Sequence, residues 1–208
     1  MTTIRIQTVE EPFNTPGMIR SAVSFLSRAE TMGFLGDADI DHLDIAAVRE
    51  VIDAMAGAGL GTGPGALLHI PDEAISGSEI AAVLAELEDI LESSPAPERE
   101  WPILESLFGV EILAGLLRVS PVSVRRYLRG DRATPDRVAA RLHFLAMVIS
   151  DLSGAYNDFG IRRWFVRSRS VLEGAAPREL LTDNWDPDEP GPRRVRTLAR
   201  ALLGSPAT

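Results

Sequence analysis

The chain contains no cysteine. Disulfides, zinc–thiolate sites, iron–sulfur clusters and thiol nucleophiles are excluded together. Lysine is also absent, so all 21 basic residues are arginine. Histidine is scarce: there are His42, His69 and His143, and no two are spaced as a metal pair on one helix face. A Cys/His metalloprotein and a secreted disulfide scaffold are ruled out, and no metal or cofactor is expected. No run of about 18 apolar residues occurs, so nothing reads as a membrane span. Met1–Gln7 has no apolar core segment of the kind a signal peptide needs, which predicts a cytoplasmic protein. Catalytic signatures are missing too. There is no G-x-S-x-G nucleophile elbow. No carboxylate pair sits in an apolar setting that would raise a pKa. An enzyme is not expected.

What is present is ordinary globular composition: 208 residues, 45% apolar and 25% charged, enough for one large domain or two small ones. The charge is segregated. Residues 1–100 hold 5 Arg against 18 Asp/Glu, whereas residues 101–170 hold 11 Arg against 6 acids. A basic middle inside an acidic protein points to a local patch for an anionic partner.

The apolar spacing predicts a mainly α protein. Helices are expected over Met18–Met32, Asp44–Ala56 and Ser76–Glu92, the last opened by a Ser76/Glu79 capping box. Gly57–Gly65, glycine at every second position, predicts a flexible linker, since glycine this dense costs too much backbone entropy inside a helix. Ser93–Pro97 breaks the chain. Downstream, helices are expected at Trp101–Phe108, Glu111–Leu117, Pro121–Arg129, Asp136–Tyr156, Phe159–Val166, Pro177–Leu181 and Pro192–Leu203. Only Ile4–Ile6 and Leu67–Ile70 look strand-like. The expected organisation is an acidic helical domain over 1–95, a helix-turn-helix domain over 98–156 and a C-terminal segment over 157–208. Asp37, Asp39 and Asp41 imitate the start of a calcium loop. That loop needs Gly and Glu where this chain has His42 and Val48, so calcium is not expected.

The most informative stretch is Val110–Gly130. Two short helices joined by a tight turn need a small residue at their crossing, and Ala114 supplies one. Leu113, Leu117, Val119, Val124 and Tyr127 are the apolar contacts. The other face of the second helix holds Val122, Ser123, Arg125, Arg126 and Arg129, with Ser120 as N-cap and Pro121 at the first helical position. A recognition helix enters the DNA major groove in this way. Arg offers two hydrogen bonds to guanine, while Ser120 and Arg132 suit the phosphate backbone. The turn usually carries glycine, and here Arg118 stands in its place. The alternative is an ordinary helical hairpin with a solvated Arg face. One short helix reads few base pairs, so DNA binding predicts a homodimer on a palindrome.

Downstream come Arg163-Trp164, then Leu172, Gly174, Pro177, Leu180 and Leu181, then Gly191, Val195 and Gly204. With the preceding helix-turn-helix, this order resembles the Xre/MbcA/ParS antitoxin family over about Trp101–Gly204. The chain departs from the family at Thr182–Pro192, a Pro/Asp-rich insert carrying Trp185. The resemblance implies an antitoxin that occludes a RES-type, NAD-degrading toxin and represses its own promoter. It implies toxin contacts at Arg163, Trp164, Gly174, Pro177, Arg193, Arg194 and Val195. A regulator with no toxin partner is the alternative. For Leu172, Leu180 and Leu181 a core role is expected instead.

Overall fold

The computed structural model describes residues 4–36, 40–69, 75–182 and 184–202. The expected calcium-loop residues Asp37 and Asp39, and Leu203 and Gly204, lie outside them. The fold is mainly α, and the chain divides into two compact units, Met1–Ser94 and Pro95–Thr208.

Unit 1 is built on two capped amphipathic helices. Thr15 accepts the Met18 N–H and opens α1 (Pro16–Thr31), which buries Met18, Ala22, Phe25, Leu26 and Ala29. The predicted capping box is present: Ser76 accepts the Glu79 N–H, and the Glu79 carboxylate accepts the Ser76 N–H at 2.8 Å. The helix it opens, α4 (Gly77–Ser93), buries Ile80, Val83, Leu84, Leu87 and Leu91 against α1. Arg28 joins the two helices through Glu88 at 3.2 Å and Glu92 at 2.9 Å. Burial raises the Glu88 carboxyl above the usual range, against hydrogen bonds from Ser24 and Arg28 that lower it. A raised carboxyl contributes stability below its unfolded pKa and loses it as pH rises through the folded value. Glu88 therefore favours the folded state more in acid than at neutral pH.

Asp44 caps α2 (Ile45–Gly57) by accepting the Ala47 N–H at 2.7 Å. A parallel pair, β1 (Thr8–Val9) and β2 (His42–Leu43), ties the start of the chain to the residues before α2. Two expectations are corrected here. Leu67–His69 forms a 3-10 turn, not a strand; Ile70 lies outside the described residues. The glycine-rich stretch is not simply a linker, because Thr62–Ala66 folds as a short helix, α3. Gly65 serves close packing: a Cβ there would lie 2.5 Å from Ile52 Cγ2. Entropy alone forbids a long helix there, but one turn against α2 recovers enough contact.

Unit 2 begins with α5 (Pro97–Leu117), which is kinked at Gly109 (φ 71°, ψ 161°). The two helices expected at Trp101–Phe108 and Glu111–Leu117 are its two arms. That φ/ψ combination is open only to glycine, which explains the residue at the kink. After α6 (Pro121–Leu128) comes α7 (Asp136–Ser153), followed by α8 (Asp158–Val166) and α9 (Pro190–Arg200). The stretch expected as a helix at Pro177–Leu181 is a 3-10 turn over Pro177–Leu180.

The sequence predicts one apolar stripe on α7, but the structure buries nearly the whole helix, including Arg141, His143, Ser150 and Asp151. Helices α5, α8 and α9 all pack on it, so it has no solvent face. Two of these buried groups meet ionisable partners. His143 Nδ1 lies 2.6 Å from Glu100, and Arg196 Nε donates to Asp151 at 2.5 Å. Because α7 is shared in this way, residues 98–156 and 157–208, read from sequence as separate, lie within one compact unit.

Candidate nucleic-acid interface

The second arm of α5 and helix α6 form a tight helical hairpin. Leu113, Ala114 and Leu117 on the first helix and Val124 and Tyr127 on the second are buried. Trp101 stacks on Tyr127 with ring centroids 5.4 Å apart and donates its indole N–H to Thr134 at 2.9 Å. The turn has the left-handed residue such motifs need: Arg118 sits at φ 57°, ψ 44°. An L-residue with a side chain pays roughly 1–2 kcal/mol to stand there. Its Nε donates to the Leu181 carbonyl at 2.8 Å, a charge-assisted bond that offsets this cost. Removing the side chain removes that bond in either case, but only glycine relieves the backbone. Arg118→Ala is therefore expected to unfold at lower denaturant than Arg118→Gly, by roughly 1 kcal/mol in extrapolated stability.

Ser120 caps α6, its hydroxyl accepting the Ser123 N–H at 3.1 Å and lying 3.0 Å from the Ser123 hydroxyl. The predicted outward face is outward: Val122 is 63% exposed, and Arg125, Arg126, Arg129 and Arg132 are exposed. Ser123 is half-buried. Their electrostatic states differ. Arg125 pairs with Glu111 at 2.9 Å and Arg129 with Asp131 at 2.8 Å. Arg132 lies over the Tyr127 ring, 5.7 Å from its centroid. Arg126 makes no ion pair among the described residues. Exposed pairs are worth about 0–1 kcal/mol each, so Arg125 and Arg129 can exchange an intramolecular carboxylate for a phosphate at small cost.

The residues expected to meet a toxin divide in two. Trp164, Pro177 and Val195 are buried, so the expectation that they touch a partner is corrected: they build the core of unit 2. Trp164 packs edge-on to Phe165, with Arg169 above it. Leu172 and Leu181 are buried as expected, and Leu180 is half-buried. Gly174 (φ 89°) follows Glu173 (φ 60°) in the tight turn between the two 3-10 segments. Arg163 and Arg193 are exposed and Arg194 is half-buried. Arg193 pairs with Asp188 and Arg194 with Glu173, both at 3.0 Å. Gly191, which the motif carries, is needed for packing: a Cβ there would lie 2.9 Å from the Leu180 carbonyl oxygen.

Sequence reasoning missed what anchors the turn. Trp185, in the supposed insert, is buried and donates its indole N–H to the Leu116 carbonyl at 2.9 Å. Arg141 is buried beneath it, donating to the Leu117 carbonyl at 3.0 Å and the Trp185 carbonyl at 2.6 Å. Desolvation lowers the Arg141 pKa. Arg137 adds a hydrogen bond to the Asn184 carbonyl. Helix ends leave carbonyls unpartnered, and here two side chains from distant positions satisfy them. A groove of about 530 Å³ was also missed. Phe108, Ile112, Phe165 and Val166 line it, with Arg162 and Arg178 among its charged residues. Glu111, the partner of Arg125, lines it too.

No family model, curated protein or solved structure matches the chain.

Proposed function

We propose that the chain is a DNA-binding antitoxin. In this reading a dimer places α6 in the major groove of its own promoter and represses it, while the same unit neutralises a cognate RES-type toxin. The observation that carries the DNA half is the exposed α6 face. Val122, Arg125 and Arg126 project from a helix with an N-cap, behind a left-handed turn, on a buried partner helix. The arginine excess of residues 101–170 supplies the electrostatic attraction.

The toxin half rests on the family resemblance. What supports it here is the surface left available after core residues are set aside. Phe159, Arg163 and Val166 are exposed on α8 at spacings of four and three, so they share one face. Val166 also lines the groove beside Arg162 and Arg178. An apolar floor with arginines among its walls suits a partner segment carrying apolar and acidic side chains.

Two measurements test the proposal. A tagged copy is co-expressed with the product of its adjacent gene, and a stable complex that relieves toxicity is the expected result. Binding to its own promoter is then measured against salt, and affinity should fall steeply as phosphate contacts release counterions. Salt-sensitive promoter binding with no complex would leave the second reading, a transcription regulator without a toxin partner. The absence of both would reject the proposal.

A further inference from the structure

In unit 1, Glu10 meets His42 and Asp44, which lie more than 30 residues further along the chain. His42 Nε2 lies 3.3 Å from Glu10 Oε1 and 3.7 Å from Asp44 Oδ2. All three donor atoms fall within 4.8 Å of one another. We propose that Glu10, His42 and Asp44 form a binding site for one divalent first-row cation of the Zn2+ class.

The backbone explains the convergence. Thr8 stands opposite His42 and Val9 opposite Leu43 in the parallel pair, and the Glu10 N–H donates to the Leu43 carbonyl at 2.9 Å. Alternate residues of a strand share a face. Thr8 with Glu10, one residue past β1, and His42 with Asp44, one residue past β2, are therefore presented together. The pairing holds the set in register, which three loose surface residues would lack.

The donor chemistry fits. One imidazole nitrogen with two carboxylates is a set that binds Zn2+ and its neighbours, with remaining positions left to water. Tetrahedral ligation at Zn–N and Zn–O bonds of about 2.1 Å places ligand atoms about 3.4 Å apart, the range of both histidine distances. The site has an outer support as well. His42 Nδ1 is hydrogen-bonded to the Thr8 hydroxyl, which fixes the ring and aims Nε2 at the carboxylates. Asp44 divides its two oxygens: Oδ1 caps α2 and Oδ2 faces the site. The acidic excess of residues 1–100 adds attraction. The competing account is a simple ion pair of His42 with the two carboxylates.

Zn2+ is titrated into the full chain at neutral pH by calorimetry. One equivalent per chain is expected. Glu10→Gln and His42→Gln are each expected to weaken it by about tenfold or more, since each removes one of three ligands. Glu10 is 63% exposed in its side chain, so its substitution leaves the fold intact even if the His42 variant does not. His69→Gln is the control; it removes the other histidine of unit 1, whose neighbour is Asp53 at 3.1 Å, and should change nothing. No stoichiometric uptake by the unmodified chain would overturn the site in favour of the ion pair. Uptake that survives Glu10→Gln unchanged would overturn it in favour of binding elsewhere.

Discussion

Trp185→Ala is expected to destabilise the protein by about 3–5 kcal/mol, the cost typical of truncating a fully buried aromatic. The side chain is 1% exposed, so almost all of its surface is lost to packing. Its ring meets Phe144 edge-on at 5.2 Å and lies 5.4 Å from the Arg141 guanidinium. The truncation opens a cavity at both contacts. It also leaves the Leu116 carbonyl without its donor, which adds a polar cost to the packing cost. Trp185→Phe lies between the two: it keeps an aromatic ring in the site and loses the indole N–H together with part of the bicyclic volume. It should therefore fall between the unmodified chain and the alanine variant. Urea unfolding followed by circular dichroism reads both. A loss below about 1 kcal/mol for Trp185→Ala would place it among ordinary surface substitutions and reject the anchoring role.

The same residue shows where sequence reading stops. Local signals were legible wherever the cause was local. The Ser76/Glu79 box and the Ser120–Pro121 helix start depend on residues three positions apart or fewer, and each stands where the pattern placed it. The conflict at Arg118 was legible too, because a turn that wants glycine had none. Trp185 was read as a departure from a motif because its partner, Leu116, is 69 residues away. Arg141 is buried and donates to carbonyls 24 and 44 residues distant. Backbone carbonyls are the same at every residue, so a side chain that seeks one leaves no pattern to find. The pairing of Glu10 with His42 was hidden for a related reason: two short strands bring them together, and neither strand carries enough residues to show alternation. Trp164, Pro177 and Val195 stand at motif positions, and motif positions do not distinguish what a family touches from what it packs.

If the proposed DNA binding holds, the arrangement of charges predicts which arginine reads sequence. Arg126 is exposed and makes no ion pair among the described residues, so both of its terminal nitrogens can meet a base without first breaking a bond. Arg126→Ala is expected to cost about 1–3 kcal/mol on the promoter site, roughly 5- to 150-fold in affinity, and little on scrambled DNA. Arg132 lies beyond the end of α6 over the Tyr127 ring, and on the proposed reading it meets the phosphate backbone and no base. Arg132→Ala should weaken both DNAs alike and reduce the salt slope by about 1. Arg125 starts from a different state, because Glu111 holds it at 2.9 Å and brings a negative charge toward the phosphates. Glu111→Gln should strengthen binding to both DNAs at low salt, and the gain should fade as salt screens the pair. Electrophoretic mobility shifts on matched and scrambled duplexes at two salt concentrations distinguish the three. If Arg126→Ala and Arg132→Ala lost equally on both duplexes, α6 would not be reading bases. Glu111 also lines the groove where a partner segment is proposed to sit. A cationic group on that partner could take Glu111 from Arg125 and free the arginine for DNA, whereas an acidic group would find Arg162 and Arg178 and leave the pair intact. Glu111→Gln uncouples the two sites in either case, so any effect of the partner on promoter binding that passes through this pair must vanish in that variant.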